Sequence, residues 1–468
     1  MASDTPLEVQ FAELLEAKQM HQNSRPKIQK VAESIRNRKN FDKYFYSPRF
    51  VSIGPIHHDN PNLKLGENYK LSWAAKYIQS TQQSPEFLHK KIAGNIDELK
   101  GLYADDVLAE SLKGSRSLDK KLSWLLFVDG CSLLYILENL RLYQHDKPKG
   151  GNTHDDQIGE REHVSIKVDN EAESHLNIKV DQLVLVMMDV LLLENQLPYL
   201  VLKLLWRNDN QNELIVTMKN YLKNYHWATP EKKTWAGIKE RLPSPDNEET
   251  NEAPTHLLDL QRKMILKIED KNEADEMEKK QSGINSEALT TYRNIQDLKT
   301  VGIKLISSRT RSPTDVDFLE SWFGAKLTLP EIIVDDTTEV SFLNLIAYEM
   351  CPDFKTDYGI CSYVVFMDSL IDHPEDVKEL RSKGILLNSL GSDEEVTALF
   401  NVIGADLVLN PETYYEIKDK MHKHYHRKCN IWIIQSYHTW FITGFVTAFM
   451  ALALTCVQTW FSIFPRGG

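Results

Sequence analysis

Acidic side chains set in apolar sequence have the strongest claim to chemistry in this chain. Asp129, Glu138, Asp189 and Glu194 each stand among leucines, valines and other apolar neighbours. A carboxylate withdrawn from water acquires a raised pKa suited to acid–base work. His57 and His58 could join them, and paired acids with a histidine could hold a divalent metal. Adjacent histidines on an extended segment point to opposite faces, so only one of the two would reach a shared site. The competing role is structural: Asp129, Glu194, Asn195 and His57 or His58 would bond to main chain at helix ends and chain crossings, because buried polar groups are normally paired. We expect the structural role, and assign no catalytic residue, metal or cofactor. A second constellation alternates His422, His424 and His426 with Lys423 and Tyr425. On a helix His422 and His426 share a face at a spacing that metals can use, but two histidines do not make a site. With Lys423, Arg427 and Lys428 alongside, the expected element is a basic helix at a lipid surface.

Composition narrows the classes further. A net charge of −12 argues against nucleic acid as the main partner, since phosphate binding needs a basic stripe. Only 20 glycines in 468 residues fall below the usual share of about 7%. That disfavours folds built on glycine-rich phosphate loops, and no nucleotide loop, nucleophile elbow or HExxH helix is present. The 42% hydrophobic content suffices for one large or two ordinary domains.

The elements that must position these residues are mainly helical. After an N-terminal tail of 1–25, a helical lobe is expected over about 26–265. Within it Leu122, Leu125, Leu126, Leu133, Leu134 and Leu137 recur at three- and four-residue steps. The stretches 142–177 and 207–253 are polar and lose that period, so they read as loops. Between them, 181–206 is dense in apolar residues but broken by Asp189, Glu194 and Pro198, which predicts two buried helices, the second entered at the proline. A short helix is expected from Thr255, then a charged linker over about 267–285. An α+β lobe follows over about 286–415, where Val301–Ile306 and Ala325–Pro330 alternate apolar and polar as half-buried strands do. Asp336 stands three residues before Glu339, and Ser392 three before Glu395, each a helix-start pattern; Pro374 marks another start. The fold class is thus α+β, a predominantly helical body over 26–435 with a small β element.

The end of the chain differs. Trp440–Phe464 holds no Asp, Glu, His, Lys or Arg and, at about 1.5 Å per residue, spans a hydrocarbon core of about 30 Å. One C-terminal transmembrane helix is expected over 440–464, presenting Trp440, Phe441, Phe445, Phe449, Leu452, Leu454, Val457, Trp460 and Phe461 to lipid, after a juxtamembrane helix over about 416–435. The cations lie ahead of it, including Lys423, Arg427 and Lys428, against Arg466 behind, so the body is expected in the cytosol of a tail-anchored protein. No signal peptide and no Asn-x-Ser/Thr site is visible. The five cysteines are odd in number and without a Cys-x-x-Cys pair, which fits reduced thiols.

A run of motifs carries a family resemblance: Val51–His58, Leu102–Asp106, Val128–Cys131, Leu192–Pro198 and Thr255–Asp259. It continues with Asp335–Glu339, Asn344–Glu349, Met367–Asp372 and Leu390–Glu395. In this order, across about 26–464, the sequence resembles the plant domain of unknown function 247 (DUF247) family. Ile56, Asp59 and Ser132 depart from the aromatic residue, glycine and phenylalanine expected at those points. The polar motif residues His57, His58, Asp129, Glu194, Asn195, Gln196, Asp335, Asp336, Glu339, Asn344, Glu349 and Asp368 are expected to be structural. The family has no established enzymatic activity. In grasses, members similar to this one are associated with the pollen side of self-incompatibility, and other members with flower sex determination. The resemblance therefore implies a membrane-anchored recognition or signalling component that binds other proteins.

Overall fold

The computed structural model describes Phe11 and residues 26–36, 45–111, 117–140, 176–225, 253–267, 294–354 and 357–463, single or paired positions inside these spans excepted; in the last helix, side chains are described to 428 and over 444–460. The rest of the tail, most of the two polar stretches (142–175 and 226–252) and the charged linker from 268 lie outside the described residues.

The first half is helical. α1 (Lys64–Thr81) and α2 (Pro85–Gly94) are followed by the short α3 (Ile96–Gly101) and α4 (Asp105–Ser111). Ser84 starts α2 by accepting the Phe87 amide at 3.2 Å, with Pro85 in the first turn where its missing N–H costs nothing. α5 (Leu118–Asn139) is the centre of this half: α1, α2, α7 (Tyr199–Leu205) and α8 (Gln211–Leu222) pack around it. Its leucine period is buried as the spacing predicts. α5 is long and apolar enough to cross a membrane, yet most of it is buried, which marks a core helix. The dense stretch after it forms α6 (Val180–Val190) and, through a 3-10 turn at Leu193–Asn195, α7, which meet at 96°. α8 corrects part of the expected loop 207–253: Asn210 caps it by accepting the Glu213 amide, and Leu214, Ile215, Met218 and Leu222 bury its apolar face. α9 (Leu257–Leu266) completes this half.

The second half is α+β. α10 (Ile295–Thr300) leads into β1 (Ile303–Ser307), β2 (Asp317–Ser321) and β3 (Gly324–Leu329), ordered β1-β3-β2 with β1 parallel and β2 antiparallel to β3. β4 (Ile332–Val334) pairs in parallel with β5 (Leu386–Asn388) across α11 (Thr338–Glu349), α12 (Gly359–Asp368) and α13 (Pro374–Ser382). Both sheets follow the rule that parallel neighbours need a crossover. α14 (Asp393–Ile403) is capped as expected, Ser392 Oγ accepting the Glu395 amide while Glu395 accepts that of Gly391. At α11 the expected Asp336 cap does not form: Thr337 stands at the cap position without a side-chain cap bond. Asp335 accepts the amide and hydroxyl of Thr337 and the hydroxyl of Thr338, whereas Asp336 is exposed.

Two hydrophobic cores result, one within the helical half and one around the sheets and α11–α14. α15 (Tyr415–Ile463) is a single 49-residue helix, about 74 Å long, with no break between the expected juxtamembrane and terminal segments. Its first turns lie on the second core, where Met421 and His424 are buried. Its described side chains over 444–460 are exposed, among them Phe445, Phe449, Leu452, Leu454, Val457 and Trp460. Trp440, Phe441 and Phe461 fall outside the described side chains.

Candidate functional site

The segment 49–58 follows Phe45 and Tyr46 of the second core and enters the first; Asp129, Asp189, Glu194 and Asn195 bond to it, and His57 and His58 belong to it. Residues 51–53 belong to no strand, so their buried amides need partners other than a sheet ladder. Side chains supply them. Asp189, at the end of α6, accepts the amides of Arg49, Phe50 and Val51 at 2.9, 2.7 and 2.9 Å. Asn195 accepts that of Ile53 at 2.6 Å and donates to the carbonyls of Val51 and Asp189. Asp129, mid-α5, accepts that of Gly54 at 2.8 Å and meets Lys70 Nζ at 2.7 Å. Lys70 also donates to the Ser52 carbonyl and pairs with Glu67, which accepts the Ser52 hydroxyl.

The backbone fit is close. Gly66 brings α1 against the crossing segment: a Cβ there would stand 1.7 Å from the Phe50 carbonyl oxygen. Gly54 has φ +80°, and a Cβ on it would stand 2.7 Å from the Gln196 carbonyl oxygen, so both conformation and space demand glycine.

Glu194 ties the junction together. It accepts the Val31 amide at 2.8 Å, pairs with Arg36, and meets His57 Nε2 at 3.0 Å. Its neighbours reach the second core. Asn344 of α11 accepts the Leu193 amide at 2.8 Å and donates to the Phe45 and Val340 carbonyls. Gln196 accepts the Leu258 amide and donates to the Val190 and Leu192 carbonyls. At the end of α11, Glu349 accepts the amides of Ile360 and Cys361 and binds Arg262 of α9 at 2.6 Å.

Burial decides the electrostatics. It pushes Asp189 up to about 6 although three amides pull the other way. It raises Asp129 and Glu349 against the attraction of Lys70 and Arg262. At Glu194 burial also acts upward, but His57 and Arg36 together outweigh it and hold the carboxyl below the usual range. Lys70 keeps its proton because Asp129 and Glu67 overcome its burial. Asp368 rises to about 6, through burial first and then the charge of Asp372, and half-buried Glu339 rises through burial.

Not every expected residue joins this network. Glu138 sits half-buried at the end of α5, paired with Arg207. His57 and His58 occupy a turn, not an extended segment, and His58 meets Asp59 at 3.2 Å. His422 and His426 bring their rings to 4.3 Å, edge to face, while His424 turns inward to Glu320. Among the described residues no three His, Cys, Asp or Glu side chains are grouped to hold a metal ion. The sequence reading missed Lys70, Arg36, Arg262 and Asp376, which accepts the amides of Gln296, Asp372 and His373. Lys70 alone had a local signal: it shares a helical stripe with Gly66, Trp73, Ala74 and Tyr77. Chemically, Asp129, Asp189, Glu194, Asp335 and Glu349 are fixed acceptors for main-chain amides, and Asp129 and Glu349 for a buried cation as well.

Fold and network together describe a two-core α+β body stitched by buried side chains and continued by a long helix that carries a short apolar stretch over Gly444–Trp460. The chain belongs to the plant protein family of unknown function DUF247, whose profile matches residues 28–457. It is similar to the UPF0481 protein At3g47200 of Arabidopsis thaliana, 25% identical over 387 residues, covering 79% of this chain and 71% of that one. It is also similar to the putative UPF0481 protein At3g02645 of the same plant, 25% identical over 181 residues, covering 37% of this chain and 34% of that one. No solved structure matches.

Proposed function

We propose that this protein is anchored in a membrane by the terminal part of α15 and acts by binding other proteins, without catalysis of its own. The observation that carries the anchor is the exposed apolar surface over 444–460, continuous with a helix docked on the body at its other end. Exposed phenylalanine, leucine and tryptophan on all sides of one helix suit lipid, not water. The binding role is supported by the motif polar residues, which serve main-chain amides at the core junction and so leave recognition to the exposed surface. Its place in the plant is proposed from the family resemblance: pollen-side self-incompatibility first, flower sex determination second. The body is assigned to the cytosol because the cations precede the apolar run.

The test is an amino-terminal tag on the full chain in sealed vesicles of known orientation, with alkaline extraction and protease protection as readouts. Retention in the membrane and digestion from the cytosolic face are expected. Release by alkali would overturn the anchor, and protection of the tag would place the body on the other side.

A further inference from the structure

The anchored reading fixes which end of the second half faces the bilayer. Tyr414, at the start of α15, bonds the Pro313 carbonyl ahead of β2; further on, His424 contacts Phe318 and bonds Glu320 at 2.9 Å, and Arg427 pairs with Glu320. The helix therefore advances alongside β2 in the same direction, toward the β2–β3 hairpin, and leaves the body there. Arg427 stands 13 residues before Trp440, about 20 Å along the axis. The headgroup layer, about 5–7 Å deep on each face, shortens that gap to about 13 Å.

At this level the outer face of the sheet carries two adjacent cations. Lys304 and Lys326 are register partners on β1 and β3, both exposed, and among the described residues neither has an ion-pair partner. Leu319 of β2, exposed at 57%, completes the row beside Lys326. Like charges directly opposite on neighbouring strands repel, so this arrangement favours an anion between them. The acid on this face, Asp317, lies two residues before Leu319 on β2, about 7 Å farther from the hairpin end than the Lys326–Leu319 row. The remaining acid of β2, Glu320, is turned to His424 and Arg427. A four-methylene lysine stem and a screening length of about 8 Å cover most of the gap to the headgroups.

We propose that Lys304 and Lys326, with Leu319, form a second membrane contact that takes the phosphate of anionic phospholipids in the leaflet beside the body. This contact rests on the anchored reading. Charge complementarity and continuity with the departing helix select lipid as the occupant.

The experiment is amine acylation of the full chain in phosphatidylcholine vesicles and in the same vesicles doped with phosphatidylserine, read residue by residue by mass spectrometry. Acylation of Lys304 and Lys326 is expected to slow about tenfold in the anionic vesicles and to recover at high salt, while Lys90, exposed on α2, does not change. Alkaline extraction runs in parallel. Release from the vesicles would overturn the anchor and this contact together. Retention with equal labelling of the two lysines in both vesicles would overturn the contact alone. Salt-insensitive protection in pure phosphatidylcholine, rising with protein concentration, would overturn it in favour of a second copy of the chain.

Discussion

Glu194 and Glu320 each face one histidine and one arginine, and their surroundings separate them. Glu194 meets His57 and Arg36 with 2% of its side chain exposed, whereas Glu320 meets His424 and Arg427 with 39% exposed. Both carboxyls are held below the usual range, in each case by hydrogen bonds from the histidine and the arginine against burial. The same chemistry has different consequences. Water solvates Glu320 and screens its pairs, so their net contribution is small. At Glu194 loss of one partner strands the others, among them the Val31 amide, in a medium that cannot replace them. Burial, more than partner identity, decides whether such a cluster is a stitch or a replaceable contact.

The largest effect is expected from Glu194→Ala, which should lower unfolding free energy by about 3–5 kcal/mol in chemical denaturation of the full chain in detergent. A loss below 1 kcal/mol would erase the distinction between the two glutamates.

His256 sharpens the comparison because it is buried without an acidic partner on its ring. Its Nδ1 caps α9 by accepting the Asp259 amide at 3.2 Å, and burial lowers its pKa to about 4. The unfolded chain, with an ordinary histidine near 6.5, takes the proton first. The contribution is therefore complete above about pH 6.5 and lost as pH falls toward 4, by about 3 kcal/mol in total. Asp189 and Asp368, raised to about 6, act in the opposite sense: the folded state binds more protons between about pH 6 and 4. The difference between the wild type and His256→Asn isolates the histidine, since asparagine retains a capping oxygen. Denaturation midpoints across this pH range should show the gap; parallel curves would refute it.

Gly66→Ala comes next, at about 1–3 kcal/mol, because the added methyl meets the Phe50 carbonyl where α1 touches the crossing segment. Thermal unfolding of the variant measures it, and an unchanged midpoint would mean the two backbones can separate freely. The smallest effect is expected from Glu320→Gln, within about 0.5 kcal/mol by the same denaturation assay. A loss comparable to that of Glu194→Ala would show that exposure does not protect the surface cluster.

Local pattern made much of this fold legible. The leucine period gave α5, Pro198 and Pro374 gave helix starts, Ser392 with Glu395 gave a cap, and alternation gave β1 and β3. β2, β4 and β5 escaped notice because three or five residues with little alternation hold no period; pairing makes them strands. α8 was hidden in polar sequence whose average masks a buried face of five residues, Leu214, Ile215, Met218, Tyr221 and Leu222. At the site, the burial of Asp129, Glu194 and Asn195 was readable from acids and amides in apolar surroundings. Their partners were not, since Val31, Arg36 and His57 reach Glu194 from more than a hundred residues away, and spacing along the chain does not encode such contacts.

The most direct measurement is a pair of double-mutant cycles, Glu194 with Arg36 and Glu320 with Arg427, each side chain cut to alanine singly and together and unfolded in denaturant. The expected coupling is about 2–3 kcal/mol for the buried pair and below about 0.5 kcal/mol for the exposed one. Equal couplings, or a larger one at Glu320, would contradict the claim that burial makes the junction network structural.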